Sequence, residues 1–177
     1  MSEEKEFAKC VLFMGVLSTA EEHRQKLFSL LEKEFGQIET VSPSVSFSFT
    51  SYYNHEMRGE PKRYFLIFSN LIDPQKLATI KETTDSLEKV FADSEGRRIN
   101  LDPGLLSLHN IILATTKNRS HRIPLSDGIY GEVTLIYQDK TFNPLPWTYA
   151  DYSSKEVIDF FCEQRNIFKQ KRKQKTT

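Results

Sequence analysis

Apolar positions fall along this chain in two rhythms, and the order in which the rhythms alternate predicts the fold. Lys9 to Leu17 is a short, almost unbroken apolar run, the pattern of a central strand buried on both faces. Ser18-Thr19-Ala20-Glu21 then has the form of a capping box. Leu27, Leu30, Leu31 and Phe35 follow at helical spacing, and Gly36 ends that helix. Val45 to Thr50 alternates strictly, apolar on one face and hydroxylated on the other, as a half-exposed edge strand does. Arg63 to Ser69 reads as a second apolar strand. Asp73-Pro74 supplies an N-cap and an N1 proline, and Leu77, Ile80, Thr84, Leu87 and Phe91 form the buried stripe of a second long helix. Gly96 closes it, and Arg98 to Leu101 is a short strand. Strand, helix, strand, strand, helix, strand is the order of an α+β, ferredoxin-like split βαβ sandwich.

The remainder predicts an extension of that unit by a C-terminal β-hairpin and helix. Ser107 to about Thr116 reads as a short helix, with a strand over Ile111 to Thr115 as the alternative. Arg122 to Leu125, the Ser126-Asp127-Gly128 turn and Ile129 to Tyr137 form a hairpin. Asp139-Lys140 turns the chain toward Phe142, and Pro144 and Pro146 break regular structure up to Trp147. Ser153 to Glu156 is another capping box, and Val157, Phe160, Phe161, Gln164 and Phe168 make the last helix amphipathic. The expected organisation is one domain over residues 1–168 and a disordered basic tail over 169–177. The alternative architecture is a mixed sheet that the hairpin joins directly.

Composition narrows the classes. Lys plus Arg and Asp plus Glu are 24 each, so the molecule as a whole has no field that attracts polyanions, and nucleic-acid binding needs a local patch. The acidic start lacks the apolar core of a signal peptide, and no apolar run reaches the roughly 20 residues of a membrane helix. Cys10 and Cys162 lie far apart in apolar-periodic segments and read as reduced thiols of a cytoplasmic protein; no C-x-x-C pair points to zinc.

Polar, titratable and aromatic residues concentrate between Ile99 and Tyr152, with a second group at Ser51 to Met57. If the second and fourth strands both run antiparallel to the first, Tyr52-Tyr53 and Asp102-Pro103-Gly104 lie side by side at one end of the sheet. Tyr52 and Tyr53 then form a ligand-orienting platform with Glu56 as base or metal ligand, or simply pack over the sheet edge. Asp102 is a cap or turn former, or a carboxylate that orients His121 or binds a cation. Lys117, Arg119, His121 and Arg122 crowd positive charge that an anionic ligand, or solvent, can relieve. Glu132 lies in an apolar strand, on one face with Thr134 and Ile136, and can pair with Arg122 across the hairpin. Trp147, Tyr149 and Tyr152 surround Asp151 in a proline-stiffened loop that covers a pocket or anchors the last helix. The four histidines are scattered and give no metal-ligand spacing.

Several strings together resemble a prokaryotic family, the domain of unknown function numbered 4416. They are Ser51-Tyr52-Tyr53 with Glu56-Met57, Asn100 to Gly104, Leu113 to Lys117 with His121-Arg122-Ile123, Gly128-Ile129-Tyr130 with Glu132 to Leu135, and Pro144 to Tyr149 with Asp151-Tyr152. The resemblance covers nearly the whole chain and implies identity, with no activity attached. Relatives are sometimes labelled GTP-binding. This chain lacks G-x-x-x-x-G-K-[ST], and Thr116-Lys117-Asn118 is not an N-K-x-D string.

The leading functional expectation is a protein that binds a small anionic ligand, a nucleotide or phosphorylated metabolite. Lys117, His121 and Arg122 would neutralise it, Tyr53 and Trp147 would hold its apolar part, and Glu56, Asp102, Glu132 and His121 are the acid/base candidates. The alternative is a non-catalytic RNA- or ribosome-associated module. It would use aromatics on an open sheet face and the tail residues Lys169, Lys171, Arg172, Lys173 and Lys175.

Overall fold

β1 (Cys10–Ser18) is buried along its whole length and organises the molecule. In the computed structural model, which describes residues 6–47, 57, 59–94 and 96–174, β1 pairs with β4 (Lys62–Ile72) on one side and β5 (Ile99–Leu106) on the other. Outside β4 lie β2 (Ile38–Val41) and the two-residue β3 (Val45–Ser46). Outside β5 lie β6 (Asn110–Thr115), β8 (Tyr130–Gln138) and, against β8, β7 (Ile123–Pro124) and β9 (Thr141–Pro144). Among the described residues this is one nine-stranded sheet, and every pairing in it is antiparallel. With three α-helices among the described residues, α1 (Arg24–Phe35), α2 (Leu77–Val90) and α3 (Lys155–Gln174), the protein is α+β. No helix among the described residues is long and apolar enough to cross a membrane.

Cross-strand partners share a face, so the register assigns each helix. Leu12, Met14, Val16, Tyr64, Leu66, Phe68 and Leu101 face α1 and α2, where Leu27, Leu31 and Ile80 complete the core. Val11, Phe13, Phe65, Ile67, Ile111, Leu113 and Leu135 face the other way, against Val157, Phe161 and Phe168 of α3. The central strands are thus covered on both sides. The aromatics that an RNA-reading sheet would display are core residues here.

The periodic segments β1, α1, β4, α2 and α3 stand where the pattern puts them, and the β7–β8 hairpin turns at Asp127 (φ 53°) and Gly128 (φ 76°). That hairpin joins the main sheet. Several expectations change. The edge strand beside β4 is in two pieces, β2 and β3; Ser42 lies between them, its Oγ accepting the Phe65 N–H at 2.8 Å. Ser48 to Thr50 lies outside the described residues. Because β2 is antiparallel to β4 and β4 to β1, β2 runs parallel to β1 and opposite to β5. Their C-terminal ends are at opposite ends of the sheet, which removes the argument for placing Tyr52-Tyr53 beside Asp102; both tyrosines lie outside the described residues. Ser107 to Thr116 is not a helix but a turn followed by β6. Neither capping box forms: Ser18 Oγ accepts from Ala20 N, and the Ser153 and Ser154 hydroxyls donate back to Tyr149 and Asp151 carbonyls. α3 runs through Gln174, so the basic segment is helical there rather than a loose tail.

The largest departure is at Asp102-Pro103-Gly104, which lies inside β5 and not in a turn. Only Gly104, Leu105 and Leu106 pair with β6; toward Ile99, β5 keeps β1 and parts from β6. The sheet therefore forks. On the open side, the Leu101 N–H donates to Glu88 Oε1 at 2.7 Å and the Leu101 carbonyl accepts from Lys81 Nζ at 3.1 Å, both from α2. Strand alternation points Pro103 to the same side, where its missing N–H leaves no donor to satisfy. Gly104 closes the fork: a Cβ there would lie 2.3 Å from Phe13 Cζ and 2.8 Å from the Ile112 carbonyl oxygen, so no larger residue fits without displacement.

Candidate functional site

The fork opens a cavity of about 460 Å³ on the α3 side of the sheet, reaching down to Lys81 and Asp85 of α2. Its floor is organised by Arg63, the first buried residue of β4. Arg63 Nη1 donates to Asp102 Oδ2 and Nε to Asp151 Oδ2, each at 2.9 Å. Burial alone would favour a neutral guanidine, but Asp102 and Asp151 outweigh it and hold Arg63 charged. The two carboxylates differ. Burial works against charge on Asp102 too, yet Arg63 and Lys81 prevail and hold its carboxyl below the usual aspartate range. Asp151 is pushed up, by burial first. Its Oδ1 accepts the Tyr152 N–H at 3.0 Å, so both its oxygens are engaged. Tyr152 is buried in the same wall, and burial raises its phenol well above the ordinary value.

The facing wall comes from the hairpin. Glu132 is 1% exposed, and its Oε2 accepts from Arg122 Nε at 2.7 Å and contacts His121 Nε2 at 2.8 Å. Arg122 also donates to the Lys117 carbonyl at 2.7 Å and to the Tyr149 hydroxyl at 3.0 Å, tying the 117–122 loop to the segment before α3. A bulge at Thr134 breaks the alternation of β8: Glu132 pairs Leu113 and Leu135 pairs Ile111, so Glu132 shares its face with Leu135. The segment after β9 is anchored on β8 by Thr148 Oγ1, which donates to the Thr134 carbonyl, and by Trp147 Nε1, which donates to the Val133 carbonyl at 2.8 Å. The cavity is lined by the cations Arg63, Lys81, Arg97, Lys117 and Arg122 together with Asp85, Asp102, Glu132 and Asp151.

Residues 8–168 match the family model described as Domain of unknown function (DUF4416), a span that includes every described residue of the cavity wall. The chain belongs to that family. No curated protein and no solved structure matches it.

In this DUF4416 chain the residues singled out from the sequence divide into four groups. Asp102, Lys117, Arg122, Glu132, Tyr149 and Asp151 line the cavity together. His121 and Trp147 stack on each other outside it, ring centroids 4.8 Å apart and planes 13° from parallel. Asp102 does not orient His121; its partner is Arg63, and Glu132 holds the histidine. Tyr52, Tyr53, Glu56 and Lys175 lie outside the described residues. Lys169, Lys171, Arg172 and Lys173 are on the last turns of α3, away from the cavity, and Lys171 pairs with Glu39. Among the described residues no three His, Cys, Asp or Glu side chains gather as a metal site. Arg63, Lys81 and Asn100 are cavity residues that the sequence reading did not assign, whereas Tyr152, read as part of the aromatic loop, does line the cavity. Arg63 carried a signal, a cation at the start of an otherwise apolar strand. Lys81 and Glu88 carried another, charges on the stripe that α2 buries.

Proposed function

We propose that the cavity in the fork is a binding site for a small anionic metabolite, with Lys117 and Arg122 receiving the anion and the Arg63 cluster meeting the rest of the molecule. The supporting observation is the buried Arg63 flanked by Asp102 and Asp151 beneath an open cavity. Desolvating three charges costs several kcal/mol per ion, and apolar residues of similar volume would serve stability as well. Such a cluster is useful where it presents fixed charge to a ligand in a space that excludes bulk water. Asp102 and Glu132 remain the acid/base candidates. Asp102 and Asp151 are pushed in opposite directions on one guanidinium, an opposition of the kind that assigns acid and base roles to paired carboxyls.

The order β2-β4-β1-β5, with α1 and α2 on one face, supports reading this half as a split βαβ sandwich to which the hairpin and α3 are added. The free thiols Cys10 and Cys162 support a reducing, cytoplasmic setting.

A thermal-shift screen of anionic metabolites tests the site. A ligand at 100 times its Kd should stabilise the fold by about 2.7 kcal/mol, and Lys117→Ala should reduce that gain. If no anion shifts the transition, or the Lys117→Ala protein responds as fully as the native one, the anionic reading is wrong.

A further inference from the structure

Tyr152 holds an oxygen with no hydrogen-bond partner. Its ring is fixed by the aromatic core, edge-on to Phe65 at 5.3 Å and parallel to Phe161 at 6.2 Å, and its side chain is 1% exposed. The hydroxyl at the end of that ring is closed to water, yet no protein group bonds it. It sits among charges: a Cβ built on Gly15 would lie 2.9 Å from Tyr152 Oη and 3.1 Å from Arg63 Nη1. Gly15 is also the cross-strand partner of Asp102. The phenol, the guanidinium and the carboxylate therefore meet over one residue without a side chain. An enclosed hydroxyl left unbonded is destabilising, and phenylalanine would fill the same space without that cost.

A ligand hydroxyl is the group that suits this place, because it both donates and accepts. It can donate to Asp102, whose side chain is 28% exposed and holds its negative charge, and accept from the protonated Tyr152. Reaching Tyr152 requires the floor to open slightly on binding. We propose that Tyr152 and Asp102 read a hydroxyl of the ligand, so that the site takes a polyhydroxylated anion of the sugar-phosphate class. This rests on the reading of the cavity as an anion site and adds what its floor selects.

The test compares ribose 5-phosphate, ribose and inorganic phosphate, by thermal shift and calorimetry, on the native protein and on Tyr152→Phe. Ribose 5-phosphate should bind more tightly than either fragment. Tyr152→Phe should fold, with an unchanged or higher melting temperature in the absence of ligand. It should bind ribose 5-phosphate roughly tenfold more weakly while its response to phosphate stays the same. A lower melting temperature for free Tyr152→Phe would mean that the hydroxyl has a structural partner, and the proposal fails. It fails equally if the variant binds ribose 5-phosphate like the native protein. If ribose 5-phosphate is no better than phosphate, and both depend on Lys117, hydroxyl reading is wrong and the anion site stands. If neither binds and no other anion does, both readings fall.

Discussion

A single guanidinium decides the electrostatics of the cavity. Arg63 is bonded to Asp151, 88 residues away in sequence, and to Asp102, 39 away, so no local string announces the cluster. Removing it leaves Asp151 without a counter-charge and Asp102 with only the Lys81 ammonium nearby. Arg63→Met should therefore cost about 3–5 kcal/mol at neutral pH, read by urea denaturation, although methionine matches much of the volume. The pH dependence has a definite sign. In the native protein the depressed Asp102 contributes stability above its unfolded value and loses it as pH falls through the folded one. Asp151, raised by burial, acts oppositely: its ionisation costs stability, and mild acid relieves that cost. Without Arg63, burial favours the protonated form of Asp151 further, and Asp102 loses the larger of the two charges that hold it ionised. The deficit of Arg63→Met should shrink between about pH 7 and about pH 4. A deficit that is constant over that range would show that the lost packing, rather than the charge, is responsible.

At the scale of elements, β5 depends on α2 for bonds that a neighbouring strand normally makes. Glu88→Ala leaves the buried Leu101 N–H without an acceptor and should cost about 1–3 kcal/mol. Glu88→Gln keeps an acceptor and removes a charge that burial disfavours, so it should cost clearly less. Equal losses in the two variants, measured by thermal or urea unfolding, would contradict the clip. The same region shows why part of the fold was hidden in the sequence. Periodicity finds β1, α1, β4, α2 and α3 because each buries a regular stripe. It misses β2, since Ile-Glu-Thr-Val at a half-exposed edge buries too little to mark it. It misreads Asp-Pro-Gly because turn chemistry is a local signal. Here the proline ends a ladder, and the glycine admits the Phe13 ring. Lys81 and Glu88 were legible as charges on a buried helix face, but their partner, one strand residue, is set by tertiary structure.

At the scale of the whole molecule, α3 seals the sheet face on which the cavity opens. Phe161 is fully buried and meets Phe13, Phe65 and Tyr152, so Phe161→Ala should destabilise by about 3–5 kcal/mol in chemical denaturation. A loss below about 1 kcal/mol would mean that α3 is not part of the cooperative core. The site draws on β4, β5, the hairpin and the loop before α3. Its residue types were largely visible in the sequence, whereas their grouping came only with the topology. The fork has one more consequence. An unpaired strand edge is a template on which another chain can add, and it is a route to aggregation. This sheet carries such an edge in its interior, where β5 parts from β6. Pro103 offers no donor there, and Lys81 and Glu88 occupy the carbonyl and N–H of Leu101. The arrangement that holds the cavity open thus also denies a docking place to a foreign strand, and the protein can keep a gap in its sheet without becoming adhesive.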